Sequence, residues 1–220
     1  KINNKPMFLK SFKSMPLSQS NVFILNAKIF KTYDIEKELI KNNVKKYSII
    51  KLKKNTKGQA ETVSSYLNNI HSNQPIFIHS CDNFIKYNHE AVLRYLDEFD
   101  IIILTAKPNI INLKNINSFG WVSSKSSQIK NINCKNKASE DPKKDTVLVG
   151  SFIFKNAKLF NKIYDKIVFN KILVNNEYYI DSMVKYAFEN GYKVKEIKVK
   201  LYLSYGTPKE IRLTNKLWKS

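Results

Sequence analysis

Short apolar runs rich in β-branched residues alternate with helical stretches from one end of the chain to the other. This rhythm restricts the fold more than any other feature. Asn21–Ala27 (NVFILNA), Tyr47–Leu52 (YSIIKL), Ile76–Ile78 (IFI), Asp100–Ala106 (DIIILTA) and Thr146–Phe154 (TVLVGSFIF) have the length and residue types of strands. The segments between them carry helical spacing. Met7, Phe8, Phe12 and Met15 recur in this way across Lys5–Met15, with Pro6 at the entrance. Asp34 caps a polar helix through Asn42, and Ala60, Val63, Leu67 and Ile70 line one face of the next. His89–Phe99, Ala157–Ile167 and Asn176–Asn190 are further helices, the last with Gly191 as its C′ residue. Such alternation is the pattern of β-α-β units.

The rest is less regular. Lys107–Ser118 reads as a loop, and Phe119–Val122 opens a strand whose antiparallel partner is Gln128–Cys134. Lys135–Asp145 reads as a polar, mobile segment. Val194–Leu203 is a final strand, after which Tyr205–Pro208 turns into a last helix. No internal repeat, coiled coil or low-complexity linker interrupts the pattern.

A chain of 220 residues with 43% hydrophobic content is long enough to bury the core of a single domain. No apolar run approaches the roughly 20 residues that span a bilayer. Cys81 and Cys134 have no metal-ligand spacing, which suits a reduced, cytoplasmic setting. The net charge of +20 raises a nucleic-acid reading, but the charge is dispersed. All but Arg94 and Arg212 of the 38 basic residues are lysines, spread through every segment. That pattern fits base composition better than a groove-reading stripe, and it still attracts anionic substrates.

Within Gln74–Ile85 (QPIFIHSCDNFI), the apolar run ends abruptly in Cys81-Asp82-Asn83. Ligands of open α/β sheets gather beyond the carboxyl ends of parallel strands, where a carboxylate can hold Mg²⁺ against phosphate oxygens. Asp82 and Asn83 starting a turn or capping a helix is the competing reading. Gly58 lies between a strand and a helix, where a bare backbone lets a flat or phosphorylated ligand approach. Gln59 beside it offers donors and an acceptor to a nucleobase edge; an ordinary helix start is the alternative. The chain has only five glycines, and Gly58, Gly120, Gly150 and Gly206 lie at strand ends, turns or strand interiors. Each is expected where a side chain would not fit.

Taken in order, these segments resemble the sugar-phosphate nucleotidyltransferases (nucleotide-sugar pyrophosphorylases), from about Asn4 to Ile211. Asn4-Lys5-Pro6-Met7 resembles the family's GKPM opening of its first helix, and Thr56–Ala60 (TKGQA) its base-contacting turn. Cys81-Asp82-Asn83 is similar to its metal-binding Asp motif. Phe119–Val122 resembles the YG-V strand, and Val149–Phe154 the strand lining the sugar pocket. Glu177–Asp181 (EYYID) resembles the EYYLTD helix start, and Leu203–Pro208 (LSYGTP) the DxGTP turn. The branch serving bacterial capsule or lipopolysaccharide precursors is the nearest in flavour.

The resemblance implies a Rossmann-like three-layer sandwich with a mixed, mostly parallel central sheet, of the nucleotide-diphospho-sugar transferase type. It implies transfer of a nucleoside monophosphate from an NTP to a sugar 1-phosphate or other small phosphorylated acceptor, releasing pyrophosphate. Asp82 and Lys135 would be catalytic, with Asp82 on Mg²⁺. Gly58, Gln59, Ala60 and Cys81 would seat the nucleotide, and Gly120, Gly150 and Glu177 the acceptor. Lys135 enters because Ile129, Ile132 and Lys135 space out like the family's V-x-x-I-x-E-K strand; a solvated surface charge is its alternative. Glu177 is alternatively a first-turn charge complementing a helix dipole. His79 is expected to pack near the site and not to act as a base. Neither nucleic acid nor membrane is an expected partner, and homo-oligomerisation is left open.

Two departures stand out. The family opens with a strand and a G-x-G-x-R phosphate loop that this sequence does not show. The expectation is that the native chain carries about 20 to 30 further N-terminal residues. The family's second metal-binding Asp falls here on Ser204, a poor Mg²⁺ ligand. A nucleotide-sugar-dependent glycosyltransferase is the runner-up, although its usual D-x-D triplet is not met at Asp82-Asn83-Phe84. A non-catalytic nucleotide-binding domain is the third reading.

Overall fold

The main sheet is built around its longest strand, β8 (Thr146–Phe154), in a computed structural model that describes residues 2, 5–16, 18, 20–70 and 72–217. One edge of β8 pairs antiparallel with β5 (Ile101–Ala106), so that Ile101 faces Phe154 and Ala106 faces Val147. Two strands share the other edge. β3 (Ile76–His79) takes the half ending at Phe154, and β6 (Trp121–Lys125) takes the half beginning at Thr146. β7 (Gln128–Asn133) pairs back onto β6, and β9 (Val194–Lys198) lies parallel to β5. The sheet is mixed, as expected. Four of its six strands (β3, β5, β6 and β9) share one direction, yet β8 runs against them and makes most of the pairings antiparallel.

Every residue of β5 is buried because the sheet is covered on both faces. Period-two alternation sends Ile101 and Ile103 to one core and Ile102, Leu104 and Ala106 to the other. The first core is covered by α4 (Gln59–Leu67), α7 (Ala157–Phe169) and α8 (Ile180–Glu189). In α7 the buried positions Ala157, Phe160, Ile163 and Ile167 form one helical stripe, and the Asn156 side chain caps the start by accepting from the Leu159 amide. The second core is closed by α5 (His89–Tyr95), α6 (Ile110–Lys114) and β4 (Asn83–Lys86).

Two smaller sheets flank this body. β1 (Asn21–Asn26) and β2 (Tyr47–Leu52) pair in parallel over α1 (Met7–Phe12) and α3 (Ile35–Lys41), with α2 (Ala27–Thr32) following β1. β4 pairs antiparallel with β10 (Leu201–Ser204), ahead of α9 (Pro208–Leu217). No helix among the described residues is long and apolar enough to cross a membrane.

Several expectations from sequence are corrected. β3 is half-buried rather than buried, since among the described residues it pairs along one edge only. Val194–Leu203 is two strands: Val199 donates to Thr105 and Lys200 to Lys86, so the chain leaves one sheet for another. The 107–118 loop contains α6, started by a capping box in which Asn109 and Asn112 satisfy each other's backbone. The first helix is shorter than Lys5–Met15, because Ser14 leaves it to accept from the Ile85 amide. The 135–145 segment is pinned by Asn131 to Ala138, Ser139 to Asp145 and a buried Ala138. The Asn176–Asn190 helix begins only at Ile180, after a bridge between Val174 and Glu177. Gly191 does take the left-handed conformation that closes α8. Asn4 of the NKPM stretch lies outside the described residues.

Candidate active site

Asp82 sits where β3, β4 and β10 converge. β3 ends at His79, the Ser80 amide donates to Gly150, and the chain turns through Cys81 and Asp82 into β4. Pairing of Ser204 with Asn83 brings the C-terminal turn alongside, and the Tyr205 amide donates to the Asp82 carbonyl at 2.7 Å. A Cβ placed on Gly206 would lie 3.2 Å from Asp82 Oδ2, 3.4 Å from Glu210 Oε2 and 3.9 Å from Ser204 Oγ. Three oxygens thus border one point in front of Gly206. Burial raises the pKa of the Asp82 carboxyl, and the Glu210 carboxylate adds to the shift; Lys135 and the Asn83 side chain act against it. Asn83 is buried and donates to the Val149 carbonyl at 2.9 Å, while its Oδ1 has no partner.

Lys135 is a cation within electrostatic reach of this turn. It has a left-handed φ of 55°, its ammonium donates to the Ser118 carbonyl at 2.5 Å, and it lies 5.0 Å from the centre of the Tyr179 ring. Its charge is felt by both Asp82 and Asp181. Burial pushes Asp181 up to about 6 against that charge. The Asp181 carboxylate fills the space that a Cβ on Gly120 would need. Cys134, next to Lys135, is pushed up to about 12 by burial and then by Asp181. Lys135, Gly120 and Asp181 therefore form one wall, of which sequence reasoning had two members.

The remaining glycines have neighbours from the chain itself. A Cβ on Gly58, at φ 106°, would meet the Tyr178 carbonyl at 2.6 Å. Tyr178 also donates to Lys57 and accepts from Ala60, so the 56–60 turn is strapped to Glu177–Tyr178. The turn and Glu177, expected at separate parts of the site, lie together. Glu177 is exposed, and its side chain bonds to Tyr179. Gln59 opens α4, and Cys81 is an exposed free thiol at the Asp82 turn. Gly150, at φ 68°, marks the point where β8 changes partner from β6 to β3, and the Ser80 side chain occupies the position of its missing Cβ. His79 lies beside Ser151, Nδ1 to Oγ 2.6 Å, and burial lowers it to about 4, so it is neutral near pH 7.

Glu210 and Asp181 were not singled out for this site. The Thr207-x-x-Glu210 spacing of a capping box was visible, but it reads as helix punctuation. Only the β4–β10 pairing brings it to Asp82. Among the described residues there is no group of three His, Cys, Asp or Glu that could hold a metal. A hard cation at Asp82 would therefore draw most of its oxygens from water and phosphates, the usual arrangement for Mg²⁺.

No family model matches the chain, and no curated protein matches it by sequence. Solved structures do. The nucleoside-diphosphate-sugar pyrophosphorylase from Vibrio cholerae RC9 superposes with a TM-score of 0.73 at 15% identity, covering 98% of this chain and 89% of that one. A UDP-glucose pyrophosphorylase complexed with UDP-glucose gives 0.69 at 15% identity, covering 100% and 88%. The inositol-1-phosphate CTP transferase from T. maritima gives 0.62 at 15% identity, covering 92% and 78%. The chain shares the fold of these structures, a mixed α/β fold with a curled, mixed central sheet.

Proposed function

We propose that this chain is a nucleotidyltransferase that joins a nucleoside monophosphate to a small phosphorylated acceptor, a sugar 1-phosphate foremost. The observation that supports it best is the meeting of the Asp82 turn with the Gly206 turn, within electrostatic reach of Lys135, on this fold. A phosphate oxygen of the acceptor attacks the α-phosphorus of the NTP. The bond from that phosphorus to its bridging oxygen breaks, and pyrophosphate leaves with the electron pair. The protein has little covalent work in such a step, so positioning and charge neutralisation dominate. Lys135 meets the acceptor phosphate, the 56–60 turn seats the base with Gly58, Gln59 and Ala60, and Cys81 borders the nucleotide. Gly120 and Gly150 shape the acceptor side, and Glu177, beside the 56–60 turn, lies between the acceptor and the base. Asp82 would hold Mg²⁺, which would supply neutralisation of phosphate charge. His79, held neutral, is not required as a base.

The finer parts of this proposal are a cytoplasmic setting and a role in capsule or other surface-polysaccharide precursors, both supported by the motif resemblance. That residues 1–220 form a single nucleotidyltransferase-like domain is also proposed, supported by the main sheet that joins strands from Ile76 to Lys198.

The test is pyrophosphate release from CTP, UTP, GTP, ATP and dTTP across a panel of phosphorylated acceptors. Release should depend on one NTP and one acceptor, and Asp82→Asn should lower kcat by about a hundredfold or more. Lys135→Met should chiefly raise KM for the acceptor. Saturable nucleotide binding with no release from any pair would favour a non-catalytic domain instead.

A further inference from the structure

Glu210 is a carboxylate in an unusual position: it is only 6% exposed and makes no ion pair among the described residues. Buried carboxylates are normally paired or bind a metal, because an uncompensated charge is costly away from water. Glu210 Oε2 accepts a hydrogen bond from Thr207 Oγ1 at 2.9 Å, and the Glu210 amide donates back to the same hydroxyl at 3.3 Å. These contacts belong to the cap of α9, and they bring no cation to the carboxylate. The same Oε2 points toward Gly206, where Asp82 Oδ2 and Ser204 Oγ also face. A second observation comes from Asn83, which is 3% exposed and bonded to Asp82 through its side chain, yet has a buried Oδ1 with no partner. The Asp82, Glu210 and Ser204 oxygens that face Gly206 are hard donors of the kind that suits Mg²⁺ or Mn²⁺.

We propose that Asp82 and Glu210 together form the divalent-cation site of this chain, with Glu210 supplying from α9 the second carboxylate that Ser204 cannot. This rests on the nucleotidyltransferase reading and deepens it. The lack of a carboxylate at position 204 is then compensated six residues later, in the first turn of α9, and Gly206 keeps the space between the two acids clear of a side chain.

Glutamine also serves as the N3 residue of a capping box, so Glu210→Gln removes the charge and keeps the cap. The experiment is a titration of the full chain with manganese(II) alone, followed by the electron paramagnetic resonance signal of the free ion, alongside metal-free melting curves. The proposal expects Asp82→Asn and Glu210→Gln each to weaken manganese binding about tenfold or more. It expects metal-free Glu210→Gln to melt no lower than wild type, since a like-charge neighbour has gone. Ser204→Asp in the Glu210→Gln background should restore binding. Wild-type affinity in Glu210→Gln, with Asp82→Asn still impaired, would overturn the role of Glu210. Pyrophosphate release would then continue to support the transferase reading by itself. Absence of manganese binding by the wild-type chain would also overturn the site.

Discussion

Asp181 and His79 respond to burial with opposite consequences for stability. Asp181 rises from 3.8 to about 6, so the folded chain holds that proton more tightly than the unfolded one. Its contribution to stability is present below pH 3.8 and lost as pH rises through about 6. His79 falls from 6.5 to about 4, so its contribution is present above pH 6.5 and lost as pH drops toward 4. The two slopes oppose each other between pH 4 and 6. Asp181→Asn removes one of them, and its melting temperature should climb more steeply over that window than that of wild type. Parallel profiles would contradict the assignment. Gly150 offers a second test at this scale. Ala there must adopt a left-handed φ of 68° against Ser80, at a cost of about 1–2 kcal/mol in denaturant unfolding. Ser80→Ala should recover part of that loss, because only the contact and not the backbone strain is relieved. From sequence, Gly150 was legible as a place with no room for a side chain. That Ser80 takes up the room was not, because it lies on another strand.

At the scale of elements, the pairing of β4 with β10 brings the Asp82 and Gly206 turns of the proposed site together. Neither strand was legible as such: Asn83–Lys86 is too short to stand out, and β10 was fused with β9 in one apolar run. The strands gain their identity from pairing with each other, which is a tertiary event. Leu203, 6% exposed, packs with Phe84 and Tyr205 beneath this junction. Leu203→Ala should cost about 2–5 kcal/mol by calorimetry. It should also lower kcat at a temperature where the variant is still folded, since the Gly206 turn loses its anchor beside Asp82. A variant that loses stability but retains full kcat would show that the junction does not position the site. Strong local signals fared better: β5, β8 and α7 were read correctly because their hydrophobic pattern, cap and length agree.

At the scale of the whole molecule, the alternation of strands and helices carried the fold class, and period-two burial in β5 and β8 explains why helices cover both faces of the sheet. The direction of β8 was beyond reach, since an antiparallel strand inside a sheet has the same apolar composition as a parallel one. The dispersed charge of +20 favours the approach of anionic ligands, the class to which both substrates of the proposed reaction belong. The most direct test of the account is a phosphorus NMR spectrum of the chain with its preferred NTP and acceptor. The account predicts pyrophosphate and a new diphosphodiester resonance in equal amounts, both lost with Asp82→Asn. Release of a nucleoside diphosphate from a nucleotide-sugar, with no pyrophosphate from any NTP, would contradict it and point to glycosyl transfer.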